Sequence, residues 1–200
     1  MTDSTLRTVS PSRVETRVHA PTDDGFIERL RASRWGALLA LLTILFGFAM
    51  GGVFGAFEAP LKQSLSERAE SVRDAVYGGD SARMKSVLDK SFTYLKRAHL
   101  HAGSIGAVAL GAILLLAALR RPRTIVRQSA ALALGVGGLA YAAFWLLAAR
   151  AAPTLGSTDL AKESLSWLAV PSAGLLLLGI GAVIALTTFE LFAPRESSKG

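Results

Sequence analysis

The sequence predicts an all-α integral membrane protein: a four-helix bundle with an extramembrane amphipathic helical hairpin between spans one and two. Three observations carry this. Hydrophobic residues make up 51% of the 200, and mean hydropathy is +0.41, high for a soluble domain. They concentrate in blocks at 35–57, 98–119, 128–149 and 164–189, each long enough at 1.5 Å per residue to cross a hydrocarbon core of about 30 Å. Residues 59–97 between the first two blocks are polar yet keep a helical period.

Residues 1–34 are polar, rich in Ser, Thr and Arg, and interrupted by Pro11, Pro21 and Asp23-Asp24-Gly25. Such a composition buries no core, so a mostly disordered tail is expected. Its last turns, Phe26 to Ser33, read as a short interfacial helix with Phe26, Ile27 and Leu30 on one side and Arg29, Arg31 and Arg34 near the headgroups. The membrane domain is expected over 35–192 and a short tail over 193–200.

The first block carries no charge and is too long for a signal-peptide core, so it is expected to stay uncleaved. Gly47, Gly51 and Gly55 recur every four residues and predict a packing face. Glu58 and Pro60 follow. In the hairpin, Leu61, Leu65, Ala69, Val72 and Val76 recur at helical spacing opposite Lys62, Glu67, Arg68 and Glu70. Gly78-Gly79 stops that arm and Asp80 or Ser81 caps the next. The second arm is expected to run into the second block, where Gly103, Ala107 and Gly111 again recur every four. Arg120 to Arg127 is a tight connection. Gly135, Gly137 and Gly138 in the third block resemble part of a dinucleotide fingerprint, but no strand precedes them. Residues 150–163 read as a polar loop before the fourth block, which holds Pro171 near its start.

Four spans put both termini on one side. Arginines 120, 121, 123 and 127, with no acid among them, mark that side as cytoplasmic. Residues 59–97 carry eight Lys or Arg beside five acids and weigh the other way. The expectation is a bacterial inner-membrane protein with cytoplasmic termini and the hairpin outside. The net charge of +7 then reads as topology and lipid headgroup contact. No basic face with interleaved aromatics exists, so nucleic acid is not an expected partner.

With no cysteine, disulfides, thiolate metal sites and lipidated cysteines are excluded. The candidate chemistry lies at the hairpin end, where Glu58 closes span one and His99 and His101 open span two. Imidazole and carboxylate suit zinc, copper or a haem axial position, so Glu58, His99 and His101 form the candidate metal set. Two histidines two apart on a helix diverge, and they share one metal only on irregular backbone. His99-Leu-His-Ala-Gly103 resembles the ligand-bearing helices of haem-copper oxidases over those residues alone. Two-helix ligation needs a histidine on a second span, which is absent, so no family follows. No hydrolase or transferase constellation is present, and no enzyme is expected. The first functional expectation is an accessory or structural subunit of a larger membrane complex, oligomerising through small-residue faces with itself or another chain. A small metal- or haem-handling redox protein is the second. A transporter or channel is the third, weakened by the lack of ionisable groups in mid-span.

Overall fold

The computed structural model describes residues 24–193, which are helical almost throughout and contain no strand. The expectations for residues 1–23 and 194–200 lie outside the described residues. In chain order the helices are α1 (Asp24–Ala32), α2 (Arg34–Glu70), α3 (Arg73–Tyr77), α4 (Ser81–Ala118), α5 (Thr124–Leu155), α6 (Thr158–Ser164) and α7 (Ser166–Phe192). Among these, α2, α4, α5 and α7 are long and apolar enough to cross a membrane. They run alternately up and down. The start of α2, the end of α4, the start of α5 and the end of α7 meet at an arginine-rich end, and the polar arms of α2 and α4 form the opposite, hairpin end.

α5 is the central helix: it packs on α2, α4 and α7, whereas α7 rests mainly on α5. The glycines set aside as a false dinucleotide match are what make this arrangement fit. A Cβ on Gly135 would meet the Gly36 carbonyl of α2 at 2.7 Å, one on Gly137 the Ser172 carbonyl of α7 at 2.9 Å, and one on Gly138 the Ile105 side chain of α4 at 3.2 Å. About one turn of α5 thus gives each neighbour its own close approach. Backbones can come this near only where side chains are absent.

The expected four-residue seams are only partly realised. Gly47 abuts Gly103, where a Cβ would lie 2.7 Å from the Gly103 nitrogen, and Gly51 lies under His99, but Gly55 faces open space. On α4, Ala107 and Gly111 are exposed. The inward row is instead Ala102, Gly106 and Ala109, and Gly106 sits against Ala40 and Ile44 of α2. The reason is geometric. A four-residue step overshoots a 3.6-residue turn by about 40°, so a strict i+4 row drifts off a contact face within two steps.

α2 does not run straight. Phe57 leaves helical geometry (φ −135°, ψ 31°) three residues before Pro60. Pro60 donates no hydrogen bond, and its ring crowds the carbonyl four residues back, which is where such helices kink. Beyond the kink Leu65 and Ala69 are buried. The hairpin follows the expected punctuation. Gly78 closes α3 at φ +59°, and Asp80 caps α4 by accepting from the Ala82 and Arg83 amides at 3.0 Å each. As expected, α4 continues unbroken from this arm into its apolar segment. At 38 residues it is about 57 Å long.

The segment expected as a polar loop at 150–163 is largely helical. α5 continues through Pro153 to Leu155, Gly156 turns at φ +63°, and Ser157 caps α6 through the Asp159 and Leu160 amides. The fourth block therefore starts at Ser166 rather than Ser164, after a break at Leu165. α6 folds onto the hairpin, and Ala69, Tyr77, Val87, Ala152 and Ala161 form a core there.

Helix ends leave carbonyls without intrahelical partners, and side chains from elsewhere satisfy them at both ends. Tyr77 donates to the Pro153 carbonyl at 2.6 Å and Arg83 to that of Gly156 at 3.3 Å, closing α5. Arg29 of α1 donates to Ala117 at 2.6 Å, and Arg127 of α5 to Leu116 and Leu119 at 3.0 Å each, closing α4. At the arginine-rich end, Glu190 of α7 accepts from the Arg121 amide at 2.9 Å. That bond holds its carboxyl below the usual carboxylate range.

Candidate functional site at the histidine level

Where the polar arm of α4 becomes apolar, the helix stays regular, so successive side chains fan out by about 100° per residue. His99 and His101 accordingly address different neighbours. His99 turns towards α2. Its Nδ1 lies 2.8 Å from the Gly47 carbonyl oxygen, its ring covers Gly51, and it meets Phe54 edge-on with centroids 5.8 Å apart. A carbonyl only accepts, so Nδ1 carries the proton and donates, leaving Nε2 with the lone pair. The glycines of α2 supply the space: Gly51 with a side chain would occupy the position of the imidazole.

His101 turns towards α5. Its ring packs on Tyr141 and Trp145, with centroids 5.5 and 6.0 Å apart. Phe144 and Tyr94 complete the group, each 5.0 Å from Trp145. Arg97 lies over the Trp145 ring at 4.9 Å and over Tyr94 at 5.4 Å, arrangements in which the ring faces attract the cation. Trp145 is buried, and its indole N–H has no acceptor among the described residues. The aromatics of α5 were legible as Tyr141, Phe144 and Trp145 at spacings of three and four.

Glu58 joins neither histidine. It pairs with Lys62 at 2.6 Å, both side chains about half exposed, and the lysine holds its carboxyl below the ordinary range. The kink at Phe57 breaks the helical register of Gly47 and Gly51 one residue before Glu58. Asp159 is likewise held by Lys162 at 2.8 Å. Among the described residues, no group of three His, Asp or Glu side chains could hold a metal ion. Glu58, His99 and His101 are accordingly not gathered into one such group. Each histidine is a helix-packing group: one donates to α2, and the other seals an aromatic cluster against α5.

Sequence alone reads Arg29 as a headgroup contact and Arg127 as a topology charge, whereas both cap the end of α4. Arg127 is 2% exposed, and a fully buried guanidinium bound to two carbonyls belongs to the architecture as much as to the charge pattern. Comparison with known protein families, with characterised proteins and with solved structures finds no match to this chain.

Proposed function

We propose that the chain is a four-span integral membrane protein acting as an accessory or structural subunit of a larger membrane complex. The spans are the apolar parts of α2, α4, α5 and α7. α3, α6 and the polar arms of α2 and α4 stand outside, and the arginine-rich end with both termini faces the cytoplasm. One observation carries this reading: the middle of the bundle is closed by backbone-to-backbone contact. Gly36 with Gly135, Gly47 with Gly103, Gly106 with Ala40, and Gly137 with Ser172 bring α2 against α5 and α4, and α5 against α7. No Asp, Glu, Lys or Arg lies within the apolar segments to bind a passing ion, and the two histidines stand at the hairpin end of α4. A bundle filled in this way supports scaffolding rather than passage. The partners are the bilayer and another membrane chain, or further copies of this one, approached by a helix-packing face.

The test is the size of the protein in its native membrane together with its behaviour alone. In a mild-detergent extract it is expected in an assembly well above its own 21.1 kDa, and reconstituted in liposomes it is expected to add no ion or solute flux. A monomer in native extracts would overturn the subunit reading, and selective flux from the pure protein would replace it with the transporter.

A further inference from the structure

We propose that the cavity between α1 and the start of α5 is a binding site for the headgroup of an anionic phospholipid. It encloses about 440 Å³. Arg29, Arg31, Arg34 and Arg127 line it, together with Thr124 and one acid, Glu28. Four guanidiniums against one carboxylate leave a surplus of three positive charges in a small volume. None of the four arginines forms an ion pair among the described residues.

Two of these cations are held in place regardless of repulsion. Arg29 and Arg127 grip carbonyls of the same last turn of α4, at Ala117, Leu116 and Leu119. Those carbonyls satisfy their donors but bring only partial negative charge, so the cavity lining keeps its positive surplus where solvent access is reduced. An anion between them and the exposed Arg31 and Arg34 supplies the missing charge through charge-assisted hydrogen bonds. The first turn of α5 adds donors, because Arg123 at its N-cap contributes no side-chain hydrogen bond.

The lipid is favoured over a free phosphate by what lies next door. A second cavity of about 240 Å³ shares Ala32 and Arg34 with the first and passes Trp35 and Gln128 to Leu132. The lining thus runs from guanidinium through amide to hydrocarbon, the order met along a phospholipid from phosphate through ester to acyl chain. A free phosphate would fill the first cavity and leave the second unused. A choline lipid would set its own cation among the arginines.

This inference rests on the membrane-spanning reading but not on the subunit role. It is tested with the delipidated full chain in detergent, by native mass spectrometry and thermal melting with phosphatidylglycerol, phosphatidylcholine and glycerol 3-phosphate. Phosphatidylglycerol is expected to stay bound and to raise the melting temperature more than phosphatidylcholine. Arg31→Ser with Arg34→Ser is expected to weaken it about thirtyfold, two headgroup attractions' worth. Lys85→Ser with Lys90→Ser at the hairpin end removes the same charge and is expected to change nothing. Equal binding of the two lipids, or full binding by the arginine double variant, overturns the site. Displacement of the lipid by equimolar glycerol 3-phosphate reassigns it to a soluble phosphate and overturns the lipid. The wild-type melting shift needs no variant, so misfolding of the double variant does not blunt the test. Release of the protein from membranes by alkaline carbonate would sink the four-span reading. A carbonate-resistant protein with no lipid preference sinks this inference alone.

Discussion

Gly51 and Gly55 occupy equivalent places in the sequence repeat and opposite places in the structure, which makes them a matched pair. A Cβ at Gly51 would lie 2.9 Å from the His99 ring, and one at Gly55 would meet nothing within 4 Å. Gly51→Leu is expected to lower stability by about 1–3 kcal/mol, the usual cost of overpacking. Gly55→Leu is expected to leave the melting temperature in detergent unchanged. Equal effects would mean that the glycines act through helix propensity alone. His99→Ala is expected to cost roughly 0.5–1.5 kcal/mol for its hydrogen bond, with further loss from the unfilled space over Gly51. Added zinc should not shift the melting temperature of wild type or variant, because His99 belongs to no group of three potential metal ligands among the described residues. A zinc-dependent rise confined to the wild type would restore the metal reading. The sequence showed that His99 and His101 diverge, since residues two apart on a regular helix point about 200° from each other. It did not show where Glu58 goes, because that depends on how Pro60 bends α2.

Two helix boundaries in the hairpin were legible because a turn needed a particular residue: Gly78 and Asp80 stand where a left-handed turn and an N-cap require them. The continuation of α5 through Pro153 was not, because the proline falls where the helix is already ending and long-range donors close it. Tyr77 is the principal donor. Its phenol is buried, and burial pushes it above the ordinary value of 10.0. A raised pKa means that stability from this group is complete below pH 10 and is lost as pH climbs through the folded value. Wild type is therefore expected to destabilise more steeply than Tyr77→Phe above about pH 10. At neutral pH Tyr77→Phe leaves the Pro153 carbonyl short of a donor, at a cost of about 1–3 kcal/mol. Hydrogen exchange at residues 150–156 in both proteins checks this. Unchanged protection would show that water replaces the phenol.

At the scale of the whole molecule, the alternation of four long helices was plain from hydropathy, and the described chain begins and ends at one end of the bundle. Which helix sits in the centre was not plain, since all four blocks are apolar and each carries glycine. Only the partners of Gly135, Gly137 and Gly138 distinguish α5. Orientation is open to a direct test, made simple by a chain without cysteine. Ser81→Cys is expected to react with a membrane-impermeant thiol reagent in intact cells, and Arg123→Cys only after permeabilisation. The reverse pattern would turn the molecule over and place the arginine cavity in the opposite leaflet.

The glycine crossings also have a thermodynamic consequence. A contact between two side chains freezes rotamers on both, whereas a contact between two glycine backbones freezes none. Docking of α5 onto α2, where Gly135 meets Gly36, thus spends little conformational entropy at the point of closest approach. The same glycines weaken α5 as an isolated helix by about 1 kcal/mol each relative to alanine. The helix that organises the bundle is accordingly among the poorer helix formers by itself, and its order should depend on its neighbours arriving.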